Sequence, residues 1–191
     1  MIDNPDYSKS TIQLLVFQAL KKWDTNPLFH LLFDKDCIVR SAVARELQIR
    51  GKEETFHNLK VLLEDRRAYV REISTFILGQ LGTPRYPFKK QSIPLLTKML
   101  KDSDSEVRAA AAAALGHLGS EQPIEDEAVC TLLLNRAIDT SVEVRVCVAY
   151  ALSSLKYSKK IEQTLYQLCS DENEEVREWA TLSLEILSER A

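Results

Sequence analysis

The sequence predicts an all-α fold in which helix pairs stack one on the next, and three observations carry that prediction. First, an Asp followed by Val at five, Arg at six and Leu at thirteen recurs five times. The copies are Asp34/Val39/Arg40/Leu47, Asp65/Val70/Arg71/Leu78, Asp102/Val107/Arg108/Leu115, Asp139/Val144/Arg145/Leu152 and Asp171/Val176/Arg177/Leu184. Their starts lie 31, 37, 37 and 32 residues apart, a period that belongs to stacked supersecondary units rather than to one globular core. Second, apolar residues recur at helical spacing behind each Val, as in Val107, Ala111, Leu115 and Leu118. Third, a Leu stands six residues before every motif Asp: Leu28, Leu59, Leu96, Leu133 and Leu165.

In chain order, residues 8–23 and 27–33 read as a degenerate N-terminal helix pair without the Asp/Val-Arg opening. Repeats then begin near residues 34, 65, 102, 139 and 171, the last incomplete, so one solenoid covers residues 1–191. Within a copy, the residue two after the Asp is a plausible N-cap: Asp36, Asp104, Ser141 and Asn173 fill it in four of the five. The position four after the Arg is always small (Ala44, Thr75, Ala112, Ala149, Thr181), which predicts close approach of a neighbouring helix. Gly51, Gly82 and Gly119 follow the first three motif helices, where a left-handed C-terminal cap favours glycine. A second, intervening helix carries the Leu of the third observation and ends at the next Asp. Neither helix buries its apolar face alone, so successive pairs must stack. The inserts Thr83 to Lys90 and Ser120 to Ile124 lengthen two turns and account for the 37-residue spacings.

Composition fits a folded protein: 45% hydrophobic and 28% charged residues, with 5 Gly and 6 Pro, exclude disordered and fibrous classes. The formal net charge of −3, with no Lys/Arg block, argues against nucleic acid as a partner. Cys37, Cys130, Cys147 and Cys169 form no C-x-x-C pair and read as small core hydrophobes in a reducing compartment. Met1 to Ser10 lacks a signal layout and no apolar stretch is long enough to span a bilayer, so the expected location is cytoplasmic, without membrane contact.

The pattern Asp-x-x-x-x-Val-Arg-x-x-Ala-x-x-x-Leu-Gly resembles the HEAT-repeat superfamily, in the short-repeat form first described in phycobilisome lyases, over residues 28–187. That resemblance implies a right-handed superhelix and a structural ladder in which each Arg meets an Asp of its own or an adjacent repeat. Carried over, the ladder comprises Asp34, Arg40, Asp65, Arg71, Asp102, Arg108, Asp139, Arg145, Asp171 and Arg177; a guanidinium taken from water needs a carboxylate beside it. The stretches Leu28 to Asp34, Ala44 to Gly51 and Phe76 to Leu81 resemble bacterial HEAT-repeat proteins of Rhs-type polymorphic-toxin loci. Immunity against a toxin domain is the role that resemblance implies.

Residues for catalysis are missing. His30, His57 and His117 are the three histidines and none adjoins a Glu, whereas HEAT-repeat hydroxylases that hold two irons use paired His-Glu motifs. DNA glycosylases with HEAT-like helices need a basic groove, and Trp23 and Trp179 sit near opposite ends of an acidic chain. The phycobilin lyases share the repeat as scaffold, but nothing isolates a chromophore pocket. No phosphate loop, nucleophile elbow or zinc-spaced cysteine set occurs. No metal and no cofactor is expected.

The expected function is therefore non-enzymatic binding of another protein, with a general scaffold or adaptor as the alternative to immunity and an enzyme as a distant third. If the intervening helices line the concave face, positions eight, five and four before each Asp form a partner-reading stripe. It comprises Asn26, Phe29, His30, His57, Lys60, Val61, Pro94, Thr97, Lys98, Thr131, Leu134, Asn135, Gln163, Tyr166 and Gln167, with His57 and Tyr166 as anchors. A rival contact is the insert at Arg85, Tyr86 and Phe88, which either forms an interaction tip or folds back on the stack. After the fifth motif helix no further helix follows. Trp179, Leu182 and Ile186 there are either an apolar patch open to self-association or are screened by outward Glu and Ser.

Overall fold

The computed structural model describes residues 9–190; residues 1–8, part of the segment without a signal layout, and Ala191 lie outside the described residues. Eleven α-helices follow one another among the described residues: α1 Lys9–Leu20, α2 Thr25–Leu31, α3 Cys37–Arg50, α4 Glu53–Leu62, α5 Ala68–Gly79, α6 Lys89–Met99, α7 Ser105–Gly119, α8 Glu127–Arg136, α9 Val142–Leu152, α10 Lys159–Leu168 and α11 Glu174–Glu189. The five motif copies open α3, α5, α7, α9 and α11, and α1 continues that layer at the N-terminal end. Outside helices, Ile124 and Leu155 make an isolated parallel bridge that ties two long loops together.

The starts follow the sequence. Asp36, Asp104 and Asn173 each accept a backbone N–H of the following turn, satisfying donors that a helix start leaves open. Ser141 occupies the same place without capping, because its hydroxyl donates to Glu143 instead. In the second copy Arg67 fills the place without capping, and its own backbone N–H donates to Asp65 Oδ1.

The ends depart from expectation at two glycines. Gly51 caps α3 in the left-handed region, with φ 54°. Gly82 also has a positive φ, but it lies beyond the end of α5 and donates its N–H to Gln48 of α3. Gly119 is the last helical residue of α7, and the reason for glycine there is space: an added Cβ would lie 2.2 Å from the Ser154 carbonyl oxygen.

One apolar core runs from Leu20 to Leu187. All five leucines of the intervening helices, Leu28, Leu59, Leu96, Leu133 and Leu165, are fully buried, each contributing roughly 1.5–3 kcal/mol by leaving water. Ala44, Thr75, Ala112 and Ala149 are fully buried between motif helices, while Thr181 on the last one is exposed. The cysteines correct their sequence reading: all are free thiols, Cys37 is exposed and the other three are half-buried, so none is a true core residue. Burial, with Glu175 and Glu143 adding to it, pushes the Cys147 thiol up to about 11, where it stays protonated and unreactive at neutral pH.

Candidate protein-binding face

The ladder sets the spacing of the stack. Arg71 donates Nε and Nη2 to the two carboxylate oxygens of Asp102 at 2.8 and 2.7 Å. Arg108 does the same to Asp139 at 2.9 and 2.8 Å, and Arg145 to Asp171 at 2.8 and 2.9 Å. The third amine of each guanidinium turns back to its own repeat, Arg108 Nη1 donating to the Asp102 and Ser103 carbonyls at 3.0 Å. Each Arg thus ties its own Asp backbone to the next Asp carboxylate, a bidentate arrangement that only a planar guanidinium supplies. The Arg bond holds the Asp102 and Asp171 carboxyls below their ordinary range. At Asp139 burial is the largest influence and pushes the pKa up, but the bonds from Arg108 and the Ser141 N–H, with the charges of Arg108 and Arg136, together hold the carboxyl below its ordinary range.

Two rungs are incomplete. Asp65 is taken by Arg67, bidentate at 2.8 Å, so Arg40 keeps its bonds to the Asp34 and Lys35 carbonyls and lays its guanidinium 5.3 Å from the Tyr69 ring centroid. Arg67 in turn lies 4.4 Å over Phe33. At the other end Arg177 bonds the Asp171 and Glu172 carbonyls, with no carboxylate opposite it among the described residues.

The motif helices approach one another much more closely than the intervening helices do. In a curved double layer the tighter layer is the inner one, so the concave face belongs to the motif helices. On that geometry the intervening helices, and the expected stripe with them, form the outer layer. Glycine and alanine make the difference: a Cβ on Gly79 would fall 2.4 Å from Ala114 Cβ, and one on Gly116 would fall 2.4 Å from Tyr150 Cε1.

On the outer layer the stripe is largely solvent-facing, with Val61 72% and Tyr166 61% exposed. Many of its polar groups are satisfied within the chain. His57 Nδ1 lies 2.9 Å from the Glu53 carbonyl, Thr97 donates to Ile93, Lys98 pairs with Glu64 at 2.6 Å and Lys60 lies over Phe56. His30, Thr131, Asn135, Gln163 and Gln167 are exposed beside them on separate helices. The structure places these residues along one side without gathering them into a cleft.

The insert folds back. Phe88 stacks on Phe56 with ring centroids 4.9 Å apart, Tyr86 packs partly buried against the core, and Lys89 donates to the Gln122 carbonyl of the next long loop. Arg85 alone of the three named residues stays exposed.

The inner face was not singled out in the sequence. A helix turns about 100° per residue, so positions four, seven and eleven after the Asp point away from the buried Val and Leu positions. Along α3 to α11 the eleventh position reads Arg45, Phe76, Ala113, Tyr150 and Leu182. Phe76 is 40% and Leu182 43% exposed, and Ile49 beside them is 57% exposed. His117, Tyr150 and Trp179 make an edge-to-face row across α7, α9 and α11, with centroids 5.5 and 5.3 Å apart, and Tyr150 Oη lies 3.1 Å from His117 Nδ1. Between α3 and α5 an open groove of about 490 Å3 is lined by Ser41, Arg45, Gln48, Ile49, Phe76 and Gln80. The fourth and seventh positions add carboxylates: Glu72, Glu106, Glu143, Glu175 and Glu178.

At the C-terminal end, Trp179 is engaged with Tyr150 and Ile186 is half-buried. Leu182 stands exposed among Glu174, Glu178 and Glu185, so the end surface is polar and acidic rather than a broad apolar patch.

These features fit an all-α solenoid of HEAT-like helix pairs. Residues 55–145 match the family model of HEAT repeats. No curated protein sequence matches the chain. Among solved structures it is similar to YibA of Escherichia coli, 25% identical over 95% of this chain and 76% of that one, with a TM-score of 0.56. A designed armadillo repeat protein in complex with the peptide (KR)4 is 19% identical, covers 97% of this chain and 95% of its own, and has a TM-score of 0.60. The complex of CpcE and CpcF of phycocyanin lyase from Nostoc sp. PCC7120 is 18% identical, with 88% and 66% covered and a TM-score of 0.65. The last two likenesses show the fold alone. Among the described residues no group of three or more His, Cys, Asp or Glu side chains could hold a metal ion, and no helix is long and apolar enough to cross a membrane.

Proposed function

We propose that the protein is a non-catalytic binding module that grips another protein on its inner face. The observation that carries this reading is the run of unengaged apolar side chains on that face, Ile49, Phe76 and Leu182, continued by the Tyr150–Trp179 row. Rigid aromatic side chains dominate interface energies, and an extended concave surface is what stacked repeats offer a partner. The peptide held by the designed armadillo neighbour supports peptide capture as something this architecture permits.

The specific form we propose is an immunity-type protein that occludes a toxin domain in a bacterial cytoplasm, resting on the resemblance of residues 28–34, 44–51 and 76–81 to Rhs-locus proteins. An adaptor with several partners is the second reading, favoured by the outer stripe, where Tyr166 and Val61 stand exposed.

The test is affinity capture from native lysate with three baits: the wild-type chain, an inner-face variant (Phe76→Ala, Tyr150→Ala) and an outer-stripe variant (His57→Ala, Lys98→Ala, Tyr166→Ala). One stoichiometric partner, lost by more than about 2 kcal/mol with the inner-face variant only and rescued in growth from its own toxicity by the wild-type chain, is expected. Loss with the outer-stripe variant alone refutes the inner-face reading, and several unrelated partners replace immunity with the adaptor.

A further inference from the structure

The aromatic inner face has a charge pattern that identifies what would cover it. On the rows at positions four, seven and eleven, α5 to α11 carry five carboxylates, Glu72, Glu106, Glu143, Glu175 and Glu178, and no Lys or Arg. None of the five makes an ion pair among the described residues. Glu143 accepts the Ser141 hydroxyl at 2.8 Å, and Glu106, Glu143, Glu175 and Glu178 are exposed. The carboxylates recur from one motif helix to the next beside Phe76, Tyr150, Trp179 and Leu182.

Helix dipoles account for part of this. Glu106, Glu143 and Glu175 lie in the first turns of α7, α9 and α11, where a negative charge is favourable. Glu72 lies beyond the first turn of α5 and gains nothing comparable; burial, then Glu106, raise its pKa. A carboxylate retained against its neighbours and its burial is one that a cation would relieve. Arg40 provides an internal example: its guanidinium lies over Tyr69, one turn from Glu72, and is the group that favours the Glu72 anion.

Resting on the inner-face reading above, we propose that the partner presents to this face an extended segment bearing Lys or Arg at regular intervals, its side chains lying over the aromatic row and meeting one carboxylate per repeat. Packed helices stand about 8–10 Å apart, and a polyproline-II chain advances about 3.1 Å per residue with three residues per turn, so every third side chain falls on one side and one basic residue in three matches the repeat. Cation–aromatic contact and the carboxylates then act on the same side chain.

The probes are labelled peptides of about twelve extended residues repeating Arg-Ser-Gly, their Glu-Ser-Gly counterparts, and a scrambled basic peptide with its arginines contiguous. Fluorescence anisotropy against the wild-type chain should favour the spaced basic peptide over the acidic one by at least about tenfold, with binding weakening as salt rises. The triple variant Glu106→Gln, Glu143→Gln, Glu175→Gln, near-isosteric and checked for an unchanged melt by circular dichroism, should lose about tenfold. Equal binding of basic and acidic peptides, no binding at all, or an unaffected triple variant overturns the basic-segment inference. The inner-face reading is decided separately by the lysate variants: a native partner that still depends on Phe76 and Tyr150 while these peptides fail leaves that reading standing.

Discussion

Arg108 and Arg40 occupy the same position in the third and first copies of one motif, yet only Arg108 has a carboxylate opposite it. Both bond two carbonyls of their own repeat, so comparing them isolates the bidentate rung to Asp139, whose side chain is 2% exposed. Removing Arg108 leaves the buried Asp139 carboxylate with Arg136 alone, at 3.2 Å, so the loss falls short of an uncompensated buried charge and is worth about 2–3 kcal/mol. Arg108→Ala should therefore destabilise by roughly that amount and Arg40→Ala by about 1–2 kcal/mol, measured by urea unfolding at pH 7. The sign of the pH dependence is fixed by Asp139, whose folded pKa lies below the ordinary carboxylate value. Its stabilisation is complete above that value and is lost as pH falls through the folded pKa. The gap between wild type and Arg108→Ala should accordingly narrow in acid; a gap constant from pH 7 to pH 2 would mean the rung contributes nothing.

At the scale of the helices, small residues decide how near two motif helices come. A Cβ on Gly79 would meet Ala114 backbone as well as side chain, at 2.7 and 2.4 Å, so α5 and α7 must part to admit it. Gly116 faces a ring, Tyr150, that can swing away. Gly79→Ala should cost about 2–3 kcal/mol as overpacking. Gly116→Ala should cost less, and its penalty should largely vanish in the background of Tyr150→Ala, a coupling that a double-mutant cycle reads directly. Equal costs with no coupling would show that the ring does not control the approach. The sequence exposed the helices themselves, because motif, Leu and N-cap repeat with the period of the fold. It did not disclose which layer is inner. Both layers carry an apolar stripe, and the close approach of the motif helices comes from Gly79, Gly116 and Gly119 against Ala114, Tyr150 and Ser154, contacts between residues more than thirty positions apart. The inner face was equally hidden: Phe76, Tyr150 and Trp179 fall at motif positions whose identity changes from copy to copy.

For the molecule as a whole, the incomplete rungs divide an otherwise continuous array. A solenoid's stability is a sum of repeat terms and nearest-neighbour interfaces, so its cooperativity fails first where one interface is weak. From α5 to α11 each motif helix is clamped to the next by a two-bond rung, at Arg71–Asp102, Arg108–Asp139 and Arg145–Asp171. Between α3 and α5 that clamp is missing, since Arg67 holds Asp65, and the two helices also lie less intimately together than α5 with α7 or α7 with α9. The polar contacts there are Gln48 donating to the Phe76 carbonyl at 3.1 Å, Gly82 donating to the Gln48 carbonyl at 2.8 Å and the Arg40 guanidinium over the Tyr69 ring. Residues 9–62 should then open as a unit before the rest. Native-state hydrogen exchange tests this: the amides of α3 and α4 should exchange through an opening cheaper than global unfolding, while those of α7 and α9 exchange only through the global event. Replacing Arg67 with Ser frees Asp65 for Arg40 and should raise the α3 and α4 opening energy toward the global value. Protection that is uniform from α3 to α9 in the wild-type chain would show that packing alone, without the rung, holds the array as one cooperative body.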